Sequence, residues 1–161
     1  MSASLLAGRY ELGRPIGRGG MAEVWEARDS VLGRTVAVKT VNLAAAHDPT
    51  LGERLRREAV ATAALTHPGV VTVYDAGVDG DTAFLVMELL EGRDLAAVLR
   101  DGPLPVSQAV RVGEQVAGAL AAAHAAGIVH RDVKPGNVLL DGEKVTVVDF
   151  GIAAVEQDAG A

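Results

Sequence analysis

A polar loop lies between two apolar runs within Ile128–Leu140 (IVHRDVKPGNVLL) and limits the possible folds of this chain more than any other segment. Strongly polar residues interrupt the apolar sequence, and a proline and a glycine prevent a helix there. A loop bounded in this way has to be held in place by the strands and the helix beside it. Asp132, Lys134 and Asn137 supply a carboxylate, an ammonium and an amide, which indicates a functional loop rather than an ordinary turn.

A second polar signal, Asp149-Phe150-Gly151, follows the predicted strand segment Val145–Val148 (VTVV). Alternate residues of a strand share a face, so Asp149 leaves packed surroundings as a single oxygen ligand suited to a hard cation. Asp-x-Gly after a strand is also common in plain turns. Its position twelve residues after Asn137 favours the ligand interpretation.

A glycine-rich segment, Gly17–Val24 (GRGGMAEV), lies near the start of the chain. Glycines let a tight loop bring backbone N–H groups against phosphate oxygens, although glycine-rich turns also join strands in many folds. A dinucleotide fold would need a helix after the loop, and a Walker loop would need Gly-Lys-Ser/Thr, which the chain lacks. A strand–loop–strand arrangement therefore remains.

The strand Val36-Ala37-Val38-Lys39 places Lys39 and Ala37 on one face. A small residue beside a lysine suits a flat ring packed on the strand, with its phosphates reaching the ammonium. The alternative is a lysine at a strand end that extends its charged head into solvent.

Glu58 lies on the apolar stripe of a predicted helix, together with Leu51, Leu55, Thr62 and Leu65. A carboxylate on that stripe faces the interior and needs a partner, because a buried unpaired charge is costly. Lys39 is one candidate partner. The alternative is Arg54, four residues earlier on the same helix, in a surface pair of little consequence.

The composition excludes several classes of function. The formal net charge of −6 argues against a general nucleic-acid binder, and the absence of cysteine excludes disulfides and thiolate zinc sites. The longest weakly polar run, Val116–Val129, is interrupted by His124 and is too short to span a bilayer. We therefore expect no membrane segment in this chain and a cytoplasmic location.

The pattern of elements predicts a β-rich part followed by a helical part, with a boundary near Glu91-Gly92. We predict helices from Asp48-Pro49 to about Leu65, over Asp94–Arg100, and from an N-cap at Ser107 to a stop at Gly127. A hairpin turn is expected at Gly77–Asp81. The predicted strands are Tyr10–Ile16, Ala22–Arg28, Thr35–Val41, Val70–Tyr74, Thr82–Glu88, Val138–Leu140 and Lys144–Val148.

Taken in order, these features resemble the signature set of protein kinases, from Tyr10 to about Ala154. The segments His67–Val71 and Val86–Glu88 are similar to bacterial serine/threonine kinases. The resemblance implies an α+β protein-kinase-like fold. A complete β-rich N-lobe with one helix would span residues 1–90, and an incomplete helical C-lobe would span residues 91–161.

The resemblance also implies a role for each matching residue. Asp132 would accept the hydrogen bond of a protein Ser/Thr hydroxyl, Lys134 would steady the γ-phosphate, and Asn137 and Asp149 would hold Mg²⁺. Lys39, held by Glu58, would contact the α- and β-phosphates of ATP. The residues expected around ATP are Ile16, Gly17, Arg18, Gly19, Gly20, Val24, Ala37, Lys39, Glu58, Met87, Glu88, Leu90 and Leu139, with the backbone of Glu88 to Leu90 at the purine edge.

Two departures from the family pattern affect these expectations. Ala22 stands where the third glycine of the loop is usual, and the chain continues for only ten residues after Gly151. Without an activation segment and later helices, the apolar faces of Val110–Leu120 and Val138–Leu140 would be partly uncovered, which would favour self-association.

Three functions are therefore considered. The first is a serine/threonine protein kinase, and the second is an ATP-binding but catalytically silent kinase fragment or interaction module. The third is a small-molecule phosphotransferase, which the complete motif set disfavours.

Overall fold

The computed structural model describes residues 5–19 and 22–150, which form two antiparallel sheets and three α-helices. The larger sheet has the strand order β1-β2-β3-β4-β6-β5, and the smaller has the order β7-β8-β9. The strands are β1 (Leu5–Leu6), β2 (Tyr10–Gly19), β3 (Ala22–Asp29), β4 (Arg34–Asn42), β5 (Val73–Asp79), β6 (Thr82–Met87), β7 (Arg93–Asp94), β8 (Val138–Asp141) and β9 (Lys144–Val147).

The helices are α1 (Leu51–Ala63), α2 (Leu95–Arg100) and α3 (Val106–Ala125), with a short 3-10 turn at Pro135–Asn137. The helix predicted over Asp94–Arg100 begins one residue later, at Leu95, and the side chain of Asp94 caps it by accepting from the Ala97 N–H at 2.8 Å. The helix stop at Gly127 is confirmed, since this glycine has a φ of +79° after the last turn of α3.

Two other helix starts differ from the prediction. Helix α1 begins at Leu51 instead of Asp48, because the Asp48 carboxylate accepts from both the backbone N–H and the hydroxyl of Thr50 and holds a turn before the helix. Helix α3 has Pro105 at its N-cap, so Ser107 lies inside the helix and the prediction that it caps the helix is wrong.

The predicted strand Val70–Tyr74 is displaced, because β5 runs from Val73 to Asp79. Val70 and Val71 bond instead to β9: Val70 forms a parallel bridge with Val147, and the Val71 N–H donates to the Val147 carbonyl at 3.4 Å. Gly77 belongs to β5 and not to the turn, because it pairs with Phe84 of β6, and a Cβ there would approach the Phe84 ring to 2.9 Å. The turn of this hairpin is residues 80–81.

The register of the larger sheet confirms the predicted facing of Lys39. Lys39 pairs with Val24 of β3 and Leu85 of β6, and Ala37 pairs with Met87. Cross-strand partners share a face, so these side chains all lie on one side of the sheet. Helix α1 packs on that face through Leu51, Leu55 and Ala59.

The helical part has its own core, in which α2 and α3 cover the ribbon β8–β9. Val138 and Leu140 are buried against Val112 and Val116 of α3 and against the side chains of α2. The expectation of an uncovered apolar face at residues 138–140 is therefore wrong for Val138 and Leu140. On α3, Val110 is exposed, and self-association through that helix stays a prediction.

No helix in the described ranges 5–19 and 22–150 is long and apolar enough to cross a membrane.

Candidate active site

A cavity of about 990 Å³ separates the larger sheet from the ribbon β8–β9. One wall is the cleft-facing side of β2, β3 and β4, and the back is the hinge segment, residues 88–92, which joins β6 to β7. The predicted site residues that line this cavity are Ile16, Gly17, Arg18, Val24, Ala37, Lys39, Met87, Glu88, Leu90, Asp132, Lys134, Asn137, Leu139 and Asp149.

The apolar part of the cavity lies next to the hinge. Ala37 and Met87 are neighbours across β4 and β6, and Leu139 faces them from β8. The Glu88 N–H donates to the Thr72 carbonyl at 2.9 Å and is therefore engaged in the fold. The Glu88 carbonyl and the Leu90 backbone make no backbone hydrogen bond within the described residues, so they can bind a flat ring.

The glycine-rich segment forms the tip of the β2–β3 hairpin. Gly17 pairs with Val24, and Gly19 pairs with Ala22, while Gly20 lies outside the described residues. Arg18 pairs with Glu23, and their side chains form an ion pair of 3.2 Å. Because Glu23 and Val24 are consecutive in a strand, this ion pair lies on the face opposite Val24 and Lys39. The backbone of the hairpin, more than the Arg18 guanidinium, is thus available to phosphates.

Lys39 is buried, and its ammonium lies 3.4 Å from Asp149 Oδ1. Among the described residues no ion pair within 4.0 Å joins Glu58 to Lys39, nor to Arg54. The predicted Lys39–Glu58 contact is therefore absent from this conformation, in which the ammonium lies beside Asp149. Glu58 Oε2 is buried without a hydrogen-bond partner, and burial raises the pKa of Glu58 against the opposing effects of Arg131 and Arg54.

The loop after His130 brings three polar groups together. Lys134 Nζ lies 3.0 Å from Asp132 Oδ2. Asn137 Nδ2 donates to the Asp132 carbonyl at 2.9 Å and to Asp132 Oδ2 at 3.2 Å. Asp132 is thus fixed by an amide and an ammonium, and both can be reached from the cavity.

His130 also shapes this loop, and the sequence analysis gave it no role. Its ring is buried, with Nε2 2.7 Å from the Val148 carbonyl and Nδ1 accepting from the Asp132 N–H at 3.1 Å. An edge-on contact with the Phe150 ring, at 4.7 Å between centroids, completes its surroundings. The sequence feature that could have identified His130 is its position, at the point where the apolar run ends and the polar loop begins.

Two residues beside these contacts have left-handed backbones, Arg131 with a φ of +71° and Asp149 with a φ of +61°. Such conformations are uncommon for residues with a side chain, and they cluster at functional sites. Here the His130 ring bonds to the residue that follows Arg131 and to the residue that precedes Asp149. His130 therefore holds both turns from a single position.

The polar groups fit a magnesium ion bound together with a phosphate. Asn137 uses Nδ2 for Asp132 and keeps Oδ1, and Asp149 uses Oδ1 for Lys39 and keeps Oδ2. The described part of the chain has no group of three or more His, Asp or Glu side chains that could hold a metal alone. One or two protein oxygens supplemented by phosphate oxygens are usual for Mg²⁺.

A β-rich lobe with a glycine-rich hairpin, a buried strand lysine, and a loop carboxylate opposite a second carboxylate are features typical of the protein-kinase class. Comparison with known proteins agrees. Residues 10–160 match the family model described as the protein kinase domain. The chain belongs to the protein kinase family.

The similar proteins include bacterial serine/threonine kinases. Serine/threonine-protein kinase PknA of Mycobacterium tuberculosis is 51% identical over 155 residues, which cover 92% of this chain and 36% of that protein. Serine/threonine-protein kinase PrkC of Bacillus subtilis is 43% identical over 150 residues, covering 92% and 23%. The chain thus spans about a third or less of the length of these relatives.

A solved structure shares the fold. The crystal structure of the M. tuberculosis PknI kinase domain superposes with a TM-score of 0.85 at 33% sequence identity, covering 96% of this chain and 62% of that one. The predicted kinase-like fold is therefore confirmed.

Proposed function

We propose that this chain carries the ATP site and the catalytic loop of a serine/threonine protein kinase, and that it transfers the γ-phosphoryl group of ATP to protein hydroxyls. The observation that carries the proposal is the shared cavity of Lys39, Asp132, Asn137 and Asp149 beneath the glycine-rich hairpin. We further propose residues 1–90 as the N-lobe and residues 91–161 as part of the C-lobe.

The nucleotide would bind with its base beside the hinge. Ala37, Met87 and Leu139 offer an apolar slot for adenine, and the Glu88 carbonyl can accept from its amino group. The Leu90 N–H can donate to the ring nitrogen beside that group. Lys39 lies further along the same face of β4, in a position to contact the α- and β-phosphates.

Phosphoryl transfer depends mainly on positioning and on stabilising the charge of the phosphates. Asp132 would accept the hydrogen bond of the acceptor hydroxyl, and Lys134, 3.0 Å from it, would move to the γ-phosphate. Asn137 and Asp149 would hold Mg²⁺ through their remaining oxygens. The bound ion would neutralise part of the triphosphate charge.

Serine and threonine are proposed as acceptors for two reasons. Lys134 follows Asp132 by two residues, as the family resemblance implies for serine/threonine enzymes. The printed names of the similar proteins are also those of serine/threonine kinases.

Nucleotide binding without transfer is the second candidate. It is favoured by one observation: Lys39 contacts Asp149 and leaves Glu58 without a partner. In this conformation the lysine and a proposed metal ligand neutralise each other, so the site is not yet arranged for chemistry.

Transfer of radiolabelled phosphate from ATP to a basic protein tests the proposal. We expect incorporation by the chain that falls at least about a hundredfold in Asp132→Asn, since general-base and positioning contributions are typically of that size. Circular dichroism of the variant should match the wild type, because the Asn137 amide can still bond to residue 132. Equal rates for the two proteins would contradict the assignment of Asp132, and binding of Mg-ATP without transfer would favour the second candidate.

A further inference from the structure

A second cavity, of about 210 Å³, lies between the hinge segment and the ribbon β8–β9. At about 30 Å³ for each water molecule, it has room for roughly seven waters. That volume is too small for a nucleotide and sufficient for one small charged group with a few waters.

The ribbon presents one continuous face to this cavity. Leu139 pairs with Thr146, and Asp141 pairs with Lys144, so the four side chains share a side of the ribbon. Leu139 also lines the proposed nucleotide cleft, and the same face continues from it to Thr146, Asp141 and Lys144. The second cavity therefore adjoins the cleft beneath the hinge and shares Glu88, Glu91 and Leu139 with it, whereas Asp141, Lys144 and Thr146 line the second cavity and not the cleft.

The charges around this cavity are unbalanced. Three carboxylates, on Glu88, Glu91 and Asp141, face one ammonium, on Lys144, which leaves an excess of two negative charges. Within residues 5–19 and 22–150, none of these four side chains forms an ion pair or a hydrogen bond. This contrasts with Glu143 in the neighbouring turn, which pairs with Arg111 of α3 at 2.7 Å.

Thr146 gives independent evidence for a ligand. The residue is only 4% exposed and lines the cavity, yet its hydroxyl makes no hydrogen bond to any described residue. Buried polar side chains nearly always have a partner. The hydroxyl is thus an available acceptor at the inner end of a pocket whose outer residues are carboxylates.

A metal ion does not fit this arrangement. The described residues contain no group of three or more carboxylates or histidines close enough together to hold one ion. A guanidinium or a primary ammonium fits better, because its several N–H donors can reach separate acceptors at once.

We propose that this cavity is a binding site for an organic cation, with a guanidinium or primary ammonium group that donates to Thr146 and is surrounded by the carboxylates of Glu91, Asp141 and Glu88. The group can belong to a basic side chain of a protein segment or to a small free amine. Asp141, Lys144 and Thr146, which line this cavity and not the cleft, have no part in the proposed phosphoryl transfer.

Chemical-shift titration of the ¹⁵N-labelled chain with N-acetyl-arginine amide tests the proposal. N-acetyl-citrulline amide is the matched ligand, since it has nearly the same shape and no charge. We expect saturable shifts of the Leu90 and Thr146 amide signals with the arginine compound and none with the citrulline compound. Equal response to both compounds would overturn the proposal.

Variants locate the site. Thr146→Val keeps the shape of the side chain and should weaken arginine binding about three- to tenfold, the usual effect of one hydrogen bond. Glu91→Gln should also weaken it and Lys144→Gln should tighten it, whereas Glu143→Gln, the matched control, should leave it unchanged. Unaltered affinity in both Thr146→Val and Glu91→Gln would reject this cavity as the site.

Agmatine distinguishes the two sources of the cation. This amine carries the same guanidinium without the amide groups of a peptide. Affinity for agmatine at or above that for arginine amide, at a pH where both carry two positive charges, assigns the site to small free amines, and lower affinity assigns it to a basic protein segment. Either result, with the variant effects above, supports the site itself.

Discussion

At the scale of single residues, Glu58 is the side chain whose surroundings differ most from expectation. The sequence places it on the inner stripe of α1, and the structure leaves its Oε2 buried without a partner. A buried acceptor without a partner destabilises the fold. The presence of Glu58 at this position is explained if its carboxylate has a partner in another conformation. Binding of a cation at Asp149 would release Lys39, which could then approach Glu58.

Glu58→Gln should therefore stabilise the chain without ligand at pH 7, because the variant removes a half-buried charge. We expect a gain of about 1 kcal/mol, the low end of the cost of burying a polar group without a partner. The raised pKa of Glu58 gives the sign of the pH dependence. A carboxyl with a raised folded pKa penalises the folded state above that pKa, so the advantage of the variant should disappear as the pH falls. Urea unfolding at several pH values measures this.

The same variant should lower the affinity for Mg-ATP, because Lys39 loses its alternative carboxylate. A variant that is less stable than the wild type at pH 7 would contradict the account of Glu58. The matched control is Glu53→Gln on the same helix, which is exposed and should change stability little.

Asp29 is a buried carboxylate with the opposite behaviour. The Arg9 guanidinium donates two hydrogen bonds to it, at 2.9 and 2.8 Å, and the backbone N–H groups of Val31 and Leu32 donate two more. These contacts, the Arg9 bond first, hold the pKa of Asp29 well below its usual range. The carboxylate thus joins the start of β2 to the turn after β3.

Asp29→Asn should lower the melting temperature at pH 7. A depressed folded pKa stabilises the protein above the unfolded value of about 3.9, and that contribution is lost as the pH falls below it. The difference between variant and wild type should therefore shrink between about pH 4 and pH 2, as followed by thermal unfolding monitored by circular dichroism. A difference that grows on acidification would contradict this role.

At the scale of elements, Gly92 controls how the hinge joins the smaller sheet. Its φ is +99°, and a Cβ at this position would lie 2.2 Å from the Leu140 carbonyl oxygen. β7 begins at the next residue, so the hinge can meet β8 only if residue 92 has no side chain.

Gly92→Ala should cost at least about 3 kcal/mol of unfolding free energy, since the backbone strain and the steric overlap add. Gly142→Ala is the matched control: its φ is +59°, but a Cβ there would meet nothing within 4 Å. Only strain remains in that case, so we expect a loss of about 1 kcal/mol. Equal losses in urea unfolding would show that the contact with Leu140 does not matter.

The sequence predicted most elements and the location of the polar groups for identifiable reasons. Alternate residues of a strand share a face, so the sequence predicted which side chains of β3 and β4 lie together. The spacing of the polar residues within Ile128–Leu140 indicated the functional loop. The displacement of β5 could not be predicted from local sequence. Val70 and Val71 are apolar because they contact β9, which lies more than seventy residues further along the chain. Lys39 pairs with Asp149 and not with Glu58, and sequence spacing alone could not predict this, because it does not give the distances between these side chains in space.

At the scale of the whole molecule, two backbone connections join the parts that carry the two sheets. The hinge segment is one connection, and the backbone bonds of residues 69–71 to Val147 form another, with the Val147 N–H donating to the Gly69 carbonyl at 2.8 Å. The proposed nucleotide cleft lies between these parts. Ligand binding therefore has to act on groups contributed by both, with Lys39 from one part and Asp132, Asn137 and Asp149 from the other.

Calorimetric titration of the chain with ATP, with and without Mg²⁺, tests the shared nucleotide and metal site most directly. We expect the wild type to bind ATP more tightly with Mg²⁺, Asp149→Asn to lose that dependence on the metal, and Lys39→Met to bind ATP more weakly in both conditions. Equal ATP affinity in all three proteins, with no effect of Mg²⁺ on any of them, would contradict the shared site.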